Sequence, residues 1–207
     1  VNRFFLWAER DDSERGAEDL RRAVRLAREL GQPALEWGAT VNLAELLHAG
    51  GRDGEALPLA IRSFELQQRY LPRPGPDSAL LLGRIAVVRG DRESVARHLA
   101  WVEAHAALAD ASPALRVFHR ALELVQQRGT AEAWDEVLVD ATAAGMQPIE
   151  HLEILCLRAV CEVDSGQVET ARGTFTAARA YVDRFPGWSA RLEVLAASIS
   201  MQGQAHV

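Results

Sequence analysis

Three polar residues near the middle of the chain, Arg116, His119 and Glu123, are spaced three and four residues apart, so a helix would bring them onto one face. A histidine and a carboxylate one turn apart can share a metal ion or pass a proton. Structural zinc wants four ligands and catalytic zinc three from the protein, and this stretch names only two. The expectation is therefore a hydrogen-bonded or ligand-contacting surface without a metal. Other catalytic patterns are missing: there is no Gly-x-Ser-x-Gly elbow, no His-Glu-x-x-His and no Cys-x-x-Cys. The 207 residues contain no lysine, all 23 basic residues being arginine, so neither a Walker-type phosphate loop nor a Schiff-base enzyme can be built from them. His-Ala-Gly-Gly-Arg-Asp-Gly at 48–54 imitates a phosphate cradle, but a turn between two helices accounts for it. No catalytic residue, no cofactor and no enzymatic activity are expected.

The elements that must position such residues are punctuated by glycine. Gly51, Gly90, Gly129 and Gly166 recur at intervals of 39, 39 and 37 residues, each closing one apolar helical pattern and preceding another. Five, nine and twelve residues after them stand Ala56, Ala60 and Ser63; Val95, Leu99 and Val102; Trp134, Leu138 and Ala141; and Ala171, Phe175 and Ala178. That spacing puts each trio on one helical face. Upstream, Leu43, Ala44 and Leu47 match Leu82, Gly83 and Ala86, while Ala121, Leu122 and Val125 keep only the apolar character. Before Gly166 the pattern slips, with Arg158 and Glu162 at apolar positions. A glycine after a helix can take the left-handed conformation that caps its last turn, and Asp91 or Thr130 beyond it can accept from the next helix's orphan amides. The product is a tight helical hairpin, repeated.

Gly51-Arg52-Asp53-Gly54-Glu55-Ala56 and Gly166-Gln167-Val168-Glu169-Thr170-Ala171 resemble the inter-helix turn and second-helix alanine of the tetratricopeptide repeat. That family's period is about 34 residues; the longer spacing here is similar to arrays in bacterial signalling proteins of the maltose-regulator type. The resemblance implies an all-α fold, a right-handed superhelical solenoid of antiparallel helix hairpins. It would hold about five repeats at 1–31, 32–71, 75–108, 112–145 and 148–184, with a capping helix at 187–201. Trp188, Leu192, Leu195 and Ile199 give that last helix one apolar face, and the proline-rich stretch from Leu71 to Pro76 reads as a loop between repeats. Phe4 to Arg10 reads as the tail of a first helix, so the array starts in mid-repeat and suggests part of a larger protein.

In this family the first helix of each hairpin lines a concave groove. The register then nominates Val41, Glu45 and His48; Leu80, Arg84 and Val87; and Arg116, His119, Glu123, Gln126 and Gln127 as groove residues. Such a mixed surface suits a protein or peptide segment. The carboxylate-clamp subtype of the family is disfavoured, because Val41 and Glu45 stand where it uses polar and basic groups. The expected role is a non-enzymatic scaffold or regulatory repeat domain of a bacterial signalling protein. The alternative is a small-molecule effector-sensing region controlling an attached ATPase, kinase or transcription-regulator domain. Phe4, Phe5 and Trp7 offer a surface for self-association. A net charge of −6 argues against nucleic acid, and Glu18 and Glu29 lie one turn from members of the Arg21, Arg22, Arg25 and Arg28 cluster, which reads as a solvated helix face. No run approaches a membrane span. Cys156 and Cys161, five apart on one predicted helix, read as free thiols of a cytoplasmic protein.

Overall fold

Prolines and polar caps start the helices, and glycines end most of them. In a computed structural model that describes residues 13–205, they delimit ten α-helices, with no strand among the described residues. These are α1 Ser13–Glu29, α2 Pro33–Ala49, α3 Asp53–Tyr70, α4 Asp77–Val88, α5 Arg92–His105, α6 Pro113–Gln127, α7 Ala131–Ala143, α8 Pro148–Asp164, α9 Val168–Arg179 and α10 Ser189–Ala205. Proline opens α2, α6 and α8, where the missing amide costs nothing. Asp91 accepts from Ser94 N at 3.0 Å to cap α5, and Thr130 accepts from Ala133 N at 3.4 Å to cap α7, both as the sequence predicts.

At the α2–α3 turn Gly51 has φ of 76°, and Arg52 N donates back to Leu47 O at 2.8 Å, closing the last turn of α2. The third hairpin departs from this expectation. There Arg128, with φ of 57°, is the left-handed residue, and Gly129 follows it. Glycine is required at 129 for space, since a Cβ would stand 2.5 Å from Leu124 Cδ2.

Consecutive helices pack against one another, and α2, α4, α6 and α8 also touch in series. Of the twelve residues placed on inward faces by the glycine register, ten are buried, and Leu138 and Phe175 are half-buried, so the period reading holds for the core. Arg158 and Glu162 break the apolar pattern because α8 meets α7 there through charge: Arg158 Nη1 reaches Asp135 Oδ1 at 2.6 Å, and its Nε reaches Glu162 Oε1 at 2.7 Å. Of the α1 arginines, Arg21 pairs with Glu14 within the helix and Arg28 reaches Glu36 of α2. The residues from Phe4 to Arg10, and with them the expected self-association surface, lie outside the described residues.

The last helix does more than cover an end. Trp188, Leu192, Leu195 and Ile199 are buried against α8 and α9. Just before α10, Trp188 Nε1 donates to Ala49 O at 2.7 Å, a contact between residues 139 apart in sequence. Gly51 and Gly187 meet backbone to backbone: a Cβ on Gly51 would lie 1.9 Å from Gly187 O. The α2–α3 turn is thus brought against the start of α10, and five of the eleven residues expected to line a groove, Val41, His48, Leu80, Arg84 and Val87, are buried.

Candidate functional site

Where the two ends meet, charge is buried in matched pairs. Arg84 sits in the apolar helix α4 and is only 3% exposed. Its Nε and Nη2 donate to Glu153 Oε1 and Oε2 at 2.8 and 2.6 Å, its Nη1 to both oxygens of Glu45 at 2.9 and 3.0 Å, and its plane lies 3.9 Å from the Phe118 ring centroid. His48, fully buried, has Nε2 2.6 Å from Glu153 Oε1 and Nδ1 2.6 Å from Asp53 Oδ1. A carboxylate at each ring nitrogen favours an N–H on both, while Arg191 Nη2 also stands 3.1 Å from Nδ1. Burial alone would lower the pKa of His48, but Glu153 and Asp53 outweigh it and hold the pKa above the ordinary value. Burial would raise Glu153, yet Arg84 and His48 hold its carboxyl below the usual range. Arg191 of α10 completes the set, with Nε on Asp53 Oδ2 at 2.9 Å, Nη2 on His48 O at 2.7 Å, and its guanidinium 4.2 Å from the Trp188 ring centroid. Arg84, Arg191 and His48 therefore balance Glu45, Glu153 and Asp53.

Two cavities flank this network. One, of about 340 Å³, is lined by Val41, Glu45, Arg84, Phe118, Glu150 and Glu153 among others. The larger, about 680 Å³, lies between the α4–α5 turn, α8 and α10. Its walls include Val87, Val95, Val125, Val160, Val163 and Leu195, and at its edge Val88, Val194 and Met201 are exposed large apolar residues. Arg89, Arg92 and Arg191 line it together with Asp164, which is 2.5 Å from Arg92 Nη2, while Arg191 is paired with Asp53. Arg191 Nη1 and Gln202 Oε1 are buried and have no hydrogen-bond partner among the described residues. Cys156 also lines this cavity, and burial pushes its thiol up to about 12, so it is a neutral, unreactive group.

The residues nominated from the register divide. Val41, His48, Leu80, Arg84 and Val87 are buried, and the polar atoms of His48 and Arg84 are already paired, so they form no open groove. Val41, Glu45 and Arg84 line the smaller cavity and Val87 the larger. Arg116 does not join His119 and Glu123, because its Nη1 donates to Ala111 O at 2.5 Å. Gln126 is half-buried and Gln127 exposed. In place of Arg116 the fold brings Glu103 from α5, and one ligand atom from each of Glu103, His119 and Glu123 lies within 4.8 Å of the others. Sequence reasoning missed Glu103 because it belongs to the previous hairpin. It also missed Glu153 and Arg191, although Arg84 alone in Ala79 to Val88 was a signal, since a charge inside an apolar helix implies a buried counter-charge.

No helix among the described residues is long and apolar enough to cross a membrane. No family model matches the chain, and no curated protein or solved structure matches it either.

Proposed function

We propose that the chain is a non-enzymatic helical-repeat domain of the superhelical tetratricopeptide kind that its glycine register resembles, and that it senses a small anionic molecule with an apolar body. The observation that carries this reading is the 680 Å³ cavity, apolar in its walls and with Arg89, Arg92 and Arg191 among its lining residues, the Nη1 of Arg191 being buried without a partner among the described residues. A volume of a few hundred Å³, apolar walls and a few polar groups are what small-molecule sites have in common. The peptide-groove reading has less support, because the inner helix faces it needs are spent on Arg84, His48 and their carboxylates. An occupant would touch α4, α8 and α10 at once, beside Trp188 and Arg191, so its binding would bias how α10 sits and pass occupancy to whatever is attached.

Thermal-shift measurements with decanoate and phenylacetate, against decanol and phenylethanol, test this. The acids should stabilise the chain, by about 2.7 kcal/mol at one hundred times the dissociation constant, and the alcohols by much less. Val194→Trp, at an exposed position on the cavity edge, should abolish the effect. Equal response to acids and alcohols, or no response to either, would discard the reading.

A further inference from the structure

We propose a divalent-cation site formed by Glu103 of α5 with His119 and Glu123 of α6, fitted to a first-row transition ion such as Zn2+. It is separate from the cavity assigned above. Among the described residues this is the group of three metal-ligating side chains whose ligand atoms approach one another closely enough to hold one ion.

The donor set points to the ion. One imidazole with two carboxylates is a borderline nitrogen and oxygen set, which suits Zn2+ or Mn2+ better than Ca2+, a cation that takes six or more oxygens. The imidazole is also uncommitted. Its Nδ1 stands 3.7 Å from Glu123 Oε2, beyond hydrogen-bond range, and its Nε2 is buried with no partner among the described residues. The Nδ1 of this half-buried imidazole faces the Glu123 carboxylate without bonding it, so it is available to an ion there. Around an ion with bonds of about 2.0–2.2 Å, ligand atoms come closer together than the present spacing. Glu103 is exposed and free to close that gap by rotating its side chain.

Arg120 is the opposing group, with Nη1 3.5 Å from Glu123 Oε2, and it competes with a cation for that carboxylate. The ligands come from helices joined by residues 106–112, whose only regular element is the short 3₁₀ turn Leu108–Asp110. A bound ion would tie α5 to α6 across that connection and leave coordination positions open to water.

Isothermal titration of the chelator-treated, dialysed full chain with Zn2+ should show one ion per chain. Glu103→Gln and His119→Gln should each weaken binding by roughly tenfold or more, the scale of loss seen even for supporting residues of metal sites. Arg120→Gln should tighten it, an effect that adventitious uptake by scattered histidines would not show. Glu103 and Arg120 are exposed, so these variants keep the fold while the site is tested. Absence of stoichiometric uptake, or uptake unchanged in both Glu103→Gln and His119→Gln, would overturn the assignment.

Discussion

His48 at the junction of α2 with α8 and α10, and His119 at the joint of α5 with α6, are both flanked by carboxylates, yet their surroundings differ in one respect. At the junction both ring nitrogens of His48 lie 2.6 Å from carboxylate oxygens, and Arg84 and Arg191 neutralise what remains. At the joint His119 Nδ1 stands 3.7 Å from Glu123 Oε2 and its Nε2 has no partner among the described residues, while the Arg120 guanidinium only grazes Glu123. Matched charge makes an element of structure; unmatched donors of the same types make a place for something else. Residue type alone did not separate the two, whereas the count of cations against anions within hydrogen-bond reach does.

The comparison breaks most visibly at the junction. Glu153→Ala removes the carboxylate that Arg84 and His48 share, leaving Arg84 only Glu45 and His48 only Asp53, and removing one partner of a buried ion pair costs about 3–5 kcal/mol. Urea denaturation should register that loss as a lower midpoint with all helices affected together. The pH dependence is smaller and has a definite sign. His48 has a folded pKa above its unfolded value, so its contribution is complete below about pH 6.5 and is lost as pH rises through the folded pKa. Glu153 and Asp53 have folded values below their unfolded ones, so their contributions are complete above roughly pH 4.5 and are lost as pH falls through the folded values. Denaturation midpoints should therefore peak between about pH 4.5 and 6.5, and His48→Gln should flatten the alkaline side. The smallest effect belongs to the joint: without metal, Glu103→Gln at its exposed position should change stability by no more than about 0.5 kcal/mol. A large loss there would mean that Glu103 is already a structural partner, and the contrast between the two regions would fail.

Much of this organisation is legible in the sequence because it is local. Asp91 and Thr130 cap the next helix through an amide three residues on, Gly51, Gly90 and Gly166 take left-handed turns, and Leu192, Leu195 and Ile199 share one face of α10, with Trp188 just before it. Arg128 replacing Gly129 as the left-handed residue escaped notice because the sequence cannot show that Leu124 crowds position 129. The closure escaped for a deeper reason. Whether Trp188 reaches Ala49 depends on the accumulated angle of every hairpin in between, and no residue on either side encodes it locally. The same limit hid Glu103, whose place beside His119 is set by how α5 is laid against α6.

The meeting of Gly51 with Gly187 carries a consequence for how the chain folds. In a linear repeat array each unit touches only its neighbours, so stability adds along the chain and the ends can fray alone. Here Ala49 and Trp188, far apart in sequence, must be brought together before the buried charges are all paired. Loop closure over that separation is entropically expensive, which raises contact order and slows the final step of folding relative to an open array of the same helices. In return α2 and α3 on one side and α8 and α10 on the other share these charges, so the two sides should lose structure in one denaturation transition.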